Sequence, residues 1–295
     1  MSLSLVNLLQ YLVSGLTLGS IYAMIALGFT IIYNATGIVN FAQGEFVALG
    51  ALFAIFFAEN HGVMLPLAVP AAAVAVLIVG SFLEVVAIRP VRNASVITLI
   101  IITIGLSILL RGLAMLVWGP DALFMRSFSG DEPVALGQVR IQPQHLWIVG
   151  IVLATMGALW LLGERTQVGK AMRACEMNRQ AAQLVGIPVS RMVNLSFALS
   201  GMLGGLAGAL VAPLVMGQYN MGTMLGLKGF CAAILGGMGN PLGAVLGGLL
   251  LGSLESLGAG FAPPGWSGYK DAFAFAVLLV VLLVKPTGLL GRGRR

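Results

Sequence analysis

The chain has 295 residues, of which 59% are hydrophobic and only 9% charged, with a mean hydropathy of +1.00. A soluble domain carries about 25% charged residues, so this composition excludes a surface made for water and places the chain in a membrane. The net charge of +6 follows from basic loops between apolar runs, which signals membrane topology and no nucleic-acid partner.

A spanning helix needs about 20 apolar residues. The opening stretch, MSLSLVNLLQYLVSGL, has no basic flank and no small-residue cleavage site, so no cleaved signal peptide is expected. Apolar runs then follow at 11–33, 40–58, 64–88, 94–118, 146–162, 193–217 and, shorter, 272–284. Between the last two lies KGFCAAILGGMGNPLGAVLGGLLLGSLESLG, from Lys228. Its Gly239-Asn240-Pro241 centre predicts a break between a short segment and a full helix. The expected fold is all-α: a single transmembrane domain, residues 1–295, with a polytopic bundle of about eight or nine transmembrane or re-entrant helices.

Lys and Arg set the orientation. Arg89 and Arg92 follow the third run; Arg165, Lys170, Arg173, Arg179 and Arg191 lie in 163–192; Lys285, Arg292, Arg294 and Arg295 form the tail. All three are expected in the cytoplasm. The loop 119–144, with Asp121, Asp131 and Glu132 against Arg126 and Arg140, falls on the periplasmic side.

Glycine is abundant, 40 residues, and lies inside apolar runs. Gly15, Gly19, Ala23 and Ala26 share one helical face; Gly201, Gly205, Ala209 and Ala212 share another; Gly248, Gly252, Ser256 and Gly260 a third. Such faces let helices approach closely. The first two match at five of thirteen positions, SGLTLGSIYAMIA against SGMLGGLAGALVA. An internal repeat would produce that match, and so would a shared small-residue face.

The most polar apolar run begins GIVNFAQGEFVALG, residues 37–50. Asn40 is placed as a helix N-cap with Gln43 three residues on to complete a capping box. Glu45 is then about 7 Å inside the helix, near its positive end. Two readings stay open: a cap with an interfacial acid, or a polar element facing a pathway or gate formed by Asn40, Gln43 and Glu45. Glu84, Arg111 and Glu255 lie within two turns of an expected interface, where they could snorkel. The midplane is therefore expected to be uncharged, which disfavours ion coupling.

No catalytic constellation, cofactor site or metal site is expected. Gly163 to Ala171 resembles a phosphate loop but has five intervening residues where four are needed, and Ala171 where Ser or Thr should bind magnesium. His61 and His145 are isolated, and Cys175 and Cys231 form no CxxC pair and are read as free thiols. The chain reads as a conduit driven from elsewhere.

Three stretches carry a family resemblance: GIVNFAQGEFVALGA, TIGLSILLRGLAMLVWGPD from Thr103, and GKAMRACEMNRQAAQLVGIPVSRMVNLSFALSGMLGGLAGAL from Gly169. In order and over nearly the whole chain, they resemble the Liv-type permeases of ABC importers for branched-chain amino acids, most closely the shorter of the two paired permeases. The resemblance implies a multi-pass bacterial inner-membrane protein with a cytoplasmic C-terminus. Its implied partners are a homologous second permease, two cytoplasmic ATPases that bind the ATP, and a periplasmic binding protein. It implies ATPase coupling at Gly169, Lys170, Arg173, Ala174, Asn178, Ala181, Gly186 and Ile187, on a short helix spanning 167–184 whose alanines, Ala171, Ala174, Ala181 and Ala182, form a slim surface. Similar permeases serve urea, amides and other small solutes, and a self-sufficient channel or ion-coupled carrier is the alternative from another class.

Overall fold

The computed structural model describes residues 5–92, 94–130, 132–136, 139–261 and 270–291. Asp131 of the outer loop and Arg292, Arg294 and Arg295 of the tail lie outside them. Helices account for most of the described chain: α1 (Leu5–Thr36), α2 (Gln43–Ile55), α3 (Leu65–Leu83), α4 (Val96–Trp118), α5 (Pro143–Arg165), α6 (Gln167–Met177), α7 (Arg179–Leu184), α8 (Val189–Val211), α9 (Met221–Gly236), α10 (Pro241–Phe261) and α11 (Lys270–Val284). π-helical turns, Phe56–Asn60 and Glu84–Ile88, extend α2 and α3. Among the described residues six helices are long and apolar enough to cross a membrane, and with the shorter apolar helices they make the expected polytopic bundle. The loop after α4 adds an antiparallel hairpin, Val134–Leu136 with Val139–Ile141, that the apolar pattern gives no hint of.

At the centre stands α1, where Ile21, Ala23, Met24, Ile25 and Ala26 are all fully buried, so that every side of the helix is covered at this level. The predicted small faces explain how. In lipid no water is released when apolar helices meet, so association depends on close packing. The α1 face lies on the α10 face: a Cβ added at Gly252 would sit 2.2 Å from Gly19 N, and one at Gly248 would sit 2.4 Å from Ala23 N. The α8 face packs on α3, where a Cβ at Gly201 would lie 2.6 Å from Val76 O and one at Gly205 would lie 2.8 Å from Val76 Cβ, and beside that face Gly208 meets α2, with a Cβ there 1.9 Å from Val47 O. The two similar glycine patterns thus serve two different crossings. Helix α4 is peripheral, with Ile97, Ile101 and Leu116 exposed where acyl chains would cover them.

The break after α9 is as predicted. Gly237 and Gly239 take positive φ, and Asn240 Oδ1 accepts from Leu242 N (3.1 Å) and Gly243 N (3.2 Å), starting α10 with Pro241 in its first turn. Asn34 near the end of α1 donates to Gly239 O (3.0 Å), Arg179 in α7 donates to Ala35 O, and Leu289 and Leu290 donate to Leu235 O and Gly236 O. These contacts gather the ends of α1 and α9, the α6–α7 loop and the described tail at one end of the bundle.

Candidate functional site

The 37–50 stretch folds differently from its predicted capping box. Chain direction explains it: after α1 ends at Thr36 the backbone turns at Gly37 (φ 75°) and re-enters the protein without helical structure. Ile38, Asn40 and Ala42 are buried there. Non-helical backbone at membrane depth survives only when protein encloses it. The cap residue of α2 is Ala42, without a side-chain cap. Asn40 Oδ1 instead accepts from Ala42 N (3.1 Å) in a local turn. Gln43, fully buried, crosses to α8, donating to Ser200 O (3.2 Å) while its Oε1 accepts from the Ser200 hydroxyl. Gly28 makes the room, since a Cβ there would lie 2.2 Å from Gln43 Nε2.

Helix α2 therefore starts inside the bundle, and Glu45 is far from an interfacial position. Glu45 is 2% exposed. Its Oε1 accepts from Ser107 Oγ (2.9 Å), Arg111 Nη2 (2.6 Å) and Arg111 Nε (3.3 Å). Ser107 is the midpoint of the 23-residue α4, which sets the depth of the cluster. Arg111 does not snorkel; it is held by the acid. The pair lines a cavity of about 230 Å³, below the ~300 Å³ at which drug-sized pockets begin and so suited to a smaller solute. Its walls are Phe29 of α1, Gly44 of α2, Ile104 and Ile108 of α4, and Leu227 and Phe230 of α9. The N-terminus of α9 reaches the same depth: Gly222 and Gly226 pack on Gly44, with a Cβ at Gly222 only 2.3 Å from Gly44 O. Two helices that begin within the bundle thus meet at one cavity.

The other charges expected to snorkel are paired as well. Glu84, 2% exposed, binds Arg89 (Oε2 to Nη2, 2.7 Å) and accepts from Asn194 Nδ2 (2.8 Å). Glu255, also 2% exposed, accepts from Lys228 Nζ (2.7 Å) and from Tyr22 OH (2.8 Å). Tyr22 is near the middle of the 32-residue α1, so the expectation of an uncharged midplane is wrong. Lys228 begins the stretch that the Gly239-Asn240-Pro241 break interrupts, and that break masks its position on a buried helix.

Of the pathway candidates, Gln43 joins helices, Asn40 forms a turn, and Glu45 reaches the cavity. Ser107, Arg111 and Thr223 complete the polar lining. The sequence did hold a signal for two of them: Thr103, Ser107 and Arg111 recur every four residues along an otherwise apolar α4, one polar stripe on one face. Thr103 Oγ1 accepts from Phe41 N (3.3 Å) on the same side.

The loop 163–192 is two helices where one was expected. Asn178 ends α6 and caps α7, accepting from Ala181 N (3.0 Å). Gly169 is buried against the end of α5, with a Cβ there 2.2 Å from Leu162 O. Arg173 is turned back to Glu164 (2.6 Å) and Gly163 O (2.7 Å). Ala182 faces inward at 3% exposure, so the slim alanine surface is only partial. Lys170, Asn178, Ala181 and Gly186 are exposed, Ala174 and Ile187 half-buried, and Gly186 takes φ 85°. The most exposed apolar side chains there are Met177, Leu184 and Val185, at 87, 89 and 75%. Cys175 is a buried free thiol, pushed up from its usual range by that burial.

The described architecture matches known proteins over its length. Residues 11–282 fit the family described as branched-chain amino acid transport system / permease component. The chain belongs to that family. It is 35% identical, over 99% of its length and 98% of the relative's, to the high-affinity branched-chain amino acid transport system permease protein LivH of Salmonella typhimurium. It is 37% identical to the corresponding permease protein BraD of Pseudomonas aeruginosa, over 96% of each chain. Among solved structures, PsaBC from Streptococcus pneumoniae in complex with Fab shares the fold, with a TM-score of 0.51 at 13% identity, covering 93% of this chain and 91% of that one. The chain is thus a multi-pass membrane permease of the ABC-importer type, as its motifs implied.

Proposed function

We propose that the chain carries branched-chain or closely related small amino acids inward across a bacterial inner membrane as one of two homologous permeases. Cytoplasmic ATPases bind and hydrolyse the ATP, and a periplasmic binding protein delivers the solute. The cavity carries this reading: a solute-sized space at mid-depth, mostly apolar, with one acid and one base at a single end. An apolar space with a few fixed polar groups is the kind of site that orients a small apolar solute. The basic segments gathered at one end support a cytoplasmic position for that end and for the C-terminus.

The α6–α7 loop is the proposed ATPase contact. Met177, Leu184 and Val185 are apolar side chains almost fully exposed on a polar loop beyond the apolar spans, and such a patch calls for a partner. Gly186 shapes it, because an L side chain is strained at φ 85°. Pull-down of the ATPase, with membrane insertion as control, tests this: Ala174→Trp and Gly186→Val should each lose the ATPase while the bundle inserts normally. Retained ATPase binding and wild-type transport in both variants would reduce the loop to a connector.

A second reading has one observation in its favour. Buried mid-depth charges and helices that begin inside the bundle also occur in ion-coupled carriers, and Lys228–Glu255 is such a pair. The single purified chain in liposomes separates the two: gradient-driven leucine accumulation without ATPase would establish the carrier and overturn the ABC assembly.

A further inference from the structure

We propose that the cavity beside Glu45 is a binding site for a zwitterionic α-amino acid with an apolar side chain. Glu45 receives the ammonium group, Arg111 the carboxylate, and the aromatic and aliphatic walls the side chain. This rests on the amino-acid permease reading and assigns it a recognition chemistry.

The two oxygens of the Glu45 carboxylate are unequal. Oε1 takes three donors, from Ser107 and Arg111, whereas Oε2 is enclosed and has no hydrogen-bond partner. An enclosed carboxylate oxygen left without a donor is costly, and a structural ion pair would be expected to satisfy it. An ammonium group brings three donors. Arg111 is complementary. Its Nε and Nη2 serve Glu45, while its Nη1 makes no hydrogen bond among the described residues, and the side chain, 32% exposed, lines the cavity. That leaves a guanidinium edge for a carboxylate. Gly222 and Thr223, in the first turn of α9, line the same cavity and add the positive end of a helix near that edge.

Charge balance selects the ligand class. The cavity holds one carboxylate and one guanidinium, so it is neutral as a unit. A zwitterion adds one charge of each sign and leaves the site neutral, whereas a simple amine or acid would bring an uncompensated charge to mid-depth. Phe29, Ile104, Ile108, Leu227 and Phe230 offer the remaining space to an apolar side chain.

The test uses the complete transporter with its ATPases and binding protein, reconstituted in liposomes, with leucine uptake and assembly both measured. Glu45→Gln, Arg111→Gln and the double variant should each lose at least tenfold in leucine uptake while the complex with its ATPases still assembles, as read by size-exclusion. The double variant is decisive, because it removes both charges together: if Glu45 merely neutralises Arg111, the double variant should regain wild-type uptake, which would overturn the proposal. A measurement on the unmutated complex guards against folding failure. Radiolabelled leucine bound to the complex without its binding protein should be displaced by unlabelled leucine at least tenfold better than by isopentylamine or 4-methylpentanoate. Equal displacement by either analogue, or no leucine binding despite normal uptake, would overturn the site and leave the permease reading standing. Failure of the wild-type transporter to import any amino acid would overturn both.

Discussion

Two ion pairs lie buried at mid-depth in this bundle, and they have the same length to within 0.1 Å: Arg111–Glu45 at 2.6 Å and Lys228–Glu255 at 2.7 Å. Their surroundings differ. Lys228 and Glu255 are 8 and 2% exposed at the side chain, and both oxygens of Glu255 are bonded, one to Lys228 and one to Tyr22. The pair ties α9 and α10 to the central α1. In the other pair one carboxylate oxygen has no partner, the guanidinium is a third exposed, and a cavity opens beside it. A closed pair holds helices together; an open pair has capacity left for something else. Satisfaction of the acceptors, more than burial or distance, separates the roles.

The largest effect is expected at the closed pair. Lys228→Ala leaves Glu255 charged and uncompensated, at a typical cost of about 3–5 kcal/mol, and should remove most folded protein from the membrane, as read by size-exclusion of the solubilised chain. Lys228→Met with Glu255→Gln keeps an acceptor for Tyr22 and should restore both folding and uptake. Recovery at this pair and none in the Glu45–Arg111 double variant is the contrast that defines the two roles; recovery at both would erase it.

Glycine substitutions sharpen the same division between closed and open surroundings. Gly208→Val forces a side chain into the α2–α8 crossing, where a Cβ already meets Val47 O at 1.9 Å, so the helix carrying Glu45 must move. Overpacking of this kind costs about 1–3 kcal/mol, and uptake should fall together with thermal stability. Gly112→Ala on the peripheral α4 meets nothing within 4 Å and should leave both unchanged. A stability loss at Gly112 would show that the side of α4 carrying Gly112 is covered as well.

The smallest effect is expected from Ser107→Ala. It removes one hydrogen bond to Glu45 worth about 1 kcal/mol, leaves Arg111 in place, and should reduce leucine uptake severalfold without changing the amount of folded transporter. A loss as deep as that of Glu45→Gln would make Ser107 an equal partner in binding.

Small residues every four positions marked the close-packing faces of α1, α8 and α10, because glycine spacing decides which side of a helix a backbone can approach; the pairing of α1 with α10 is a property of the tertiary structure. Gly239-Asn240-Pro241 likewise announced the break before α10. Asn40, Gln43 and Glu45 stood out as polar residues in an apolar run, yet the capping box assigned to them was wrong. Local spacing matched a cap, and a partner 157 residues away, Ser200, claimed Gln43 instead. The Thr103-Ser107-Arg111 stripe was present in the sequence and went unused, since a stripe shows which face is polar and not what it faces.

By itself the sequence determined that the chain lies in a membrane, roughly where its helices run, and to which family it belongs, because hydropathy, glycine spacing and long motifs are local properties of the chain. Depth and partnership were decided only by the tertiary structure. Glu45 was counted as near an interface because distance was measured from the start of its own helix, but that start lies inside the protein. Whether a buried carboxylate is closed by a tyrosine and a lysine or left with an unpartnered oxygen beside a cavity depends on residues tens to hundreds of positions apart, and no local pattern records it.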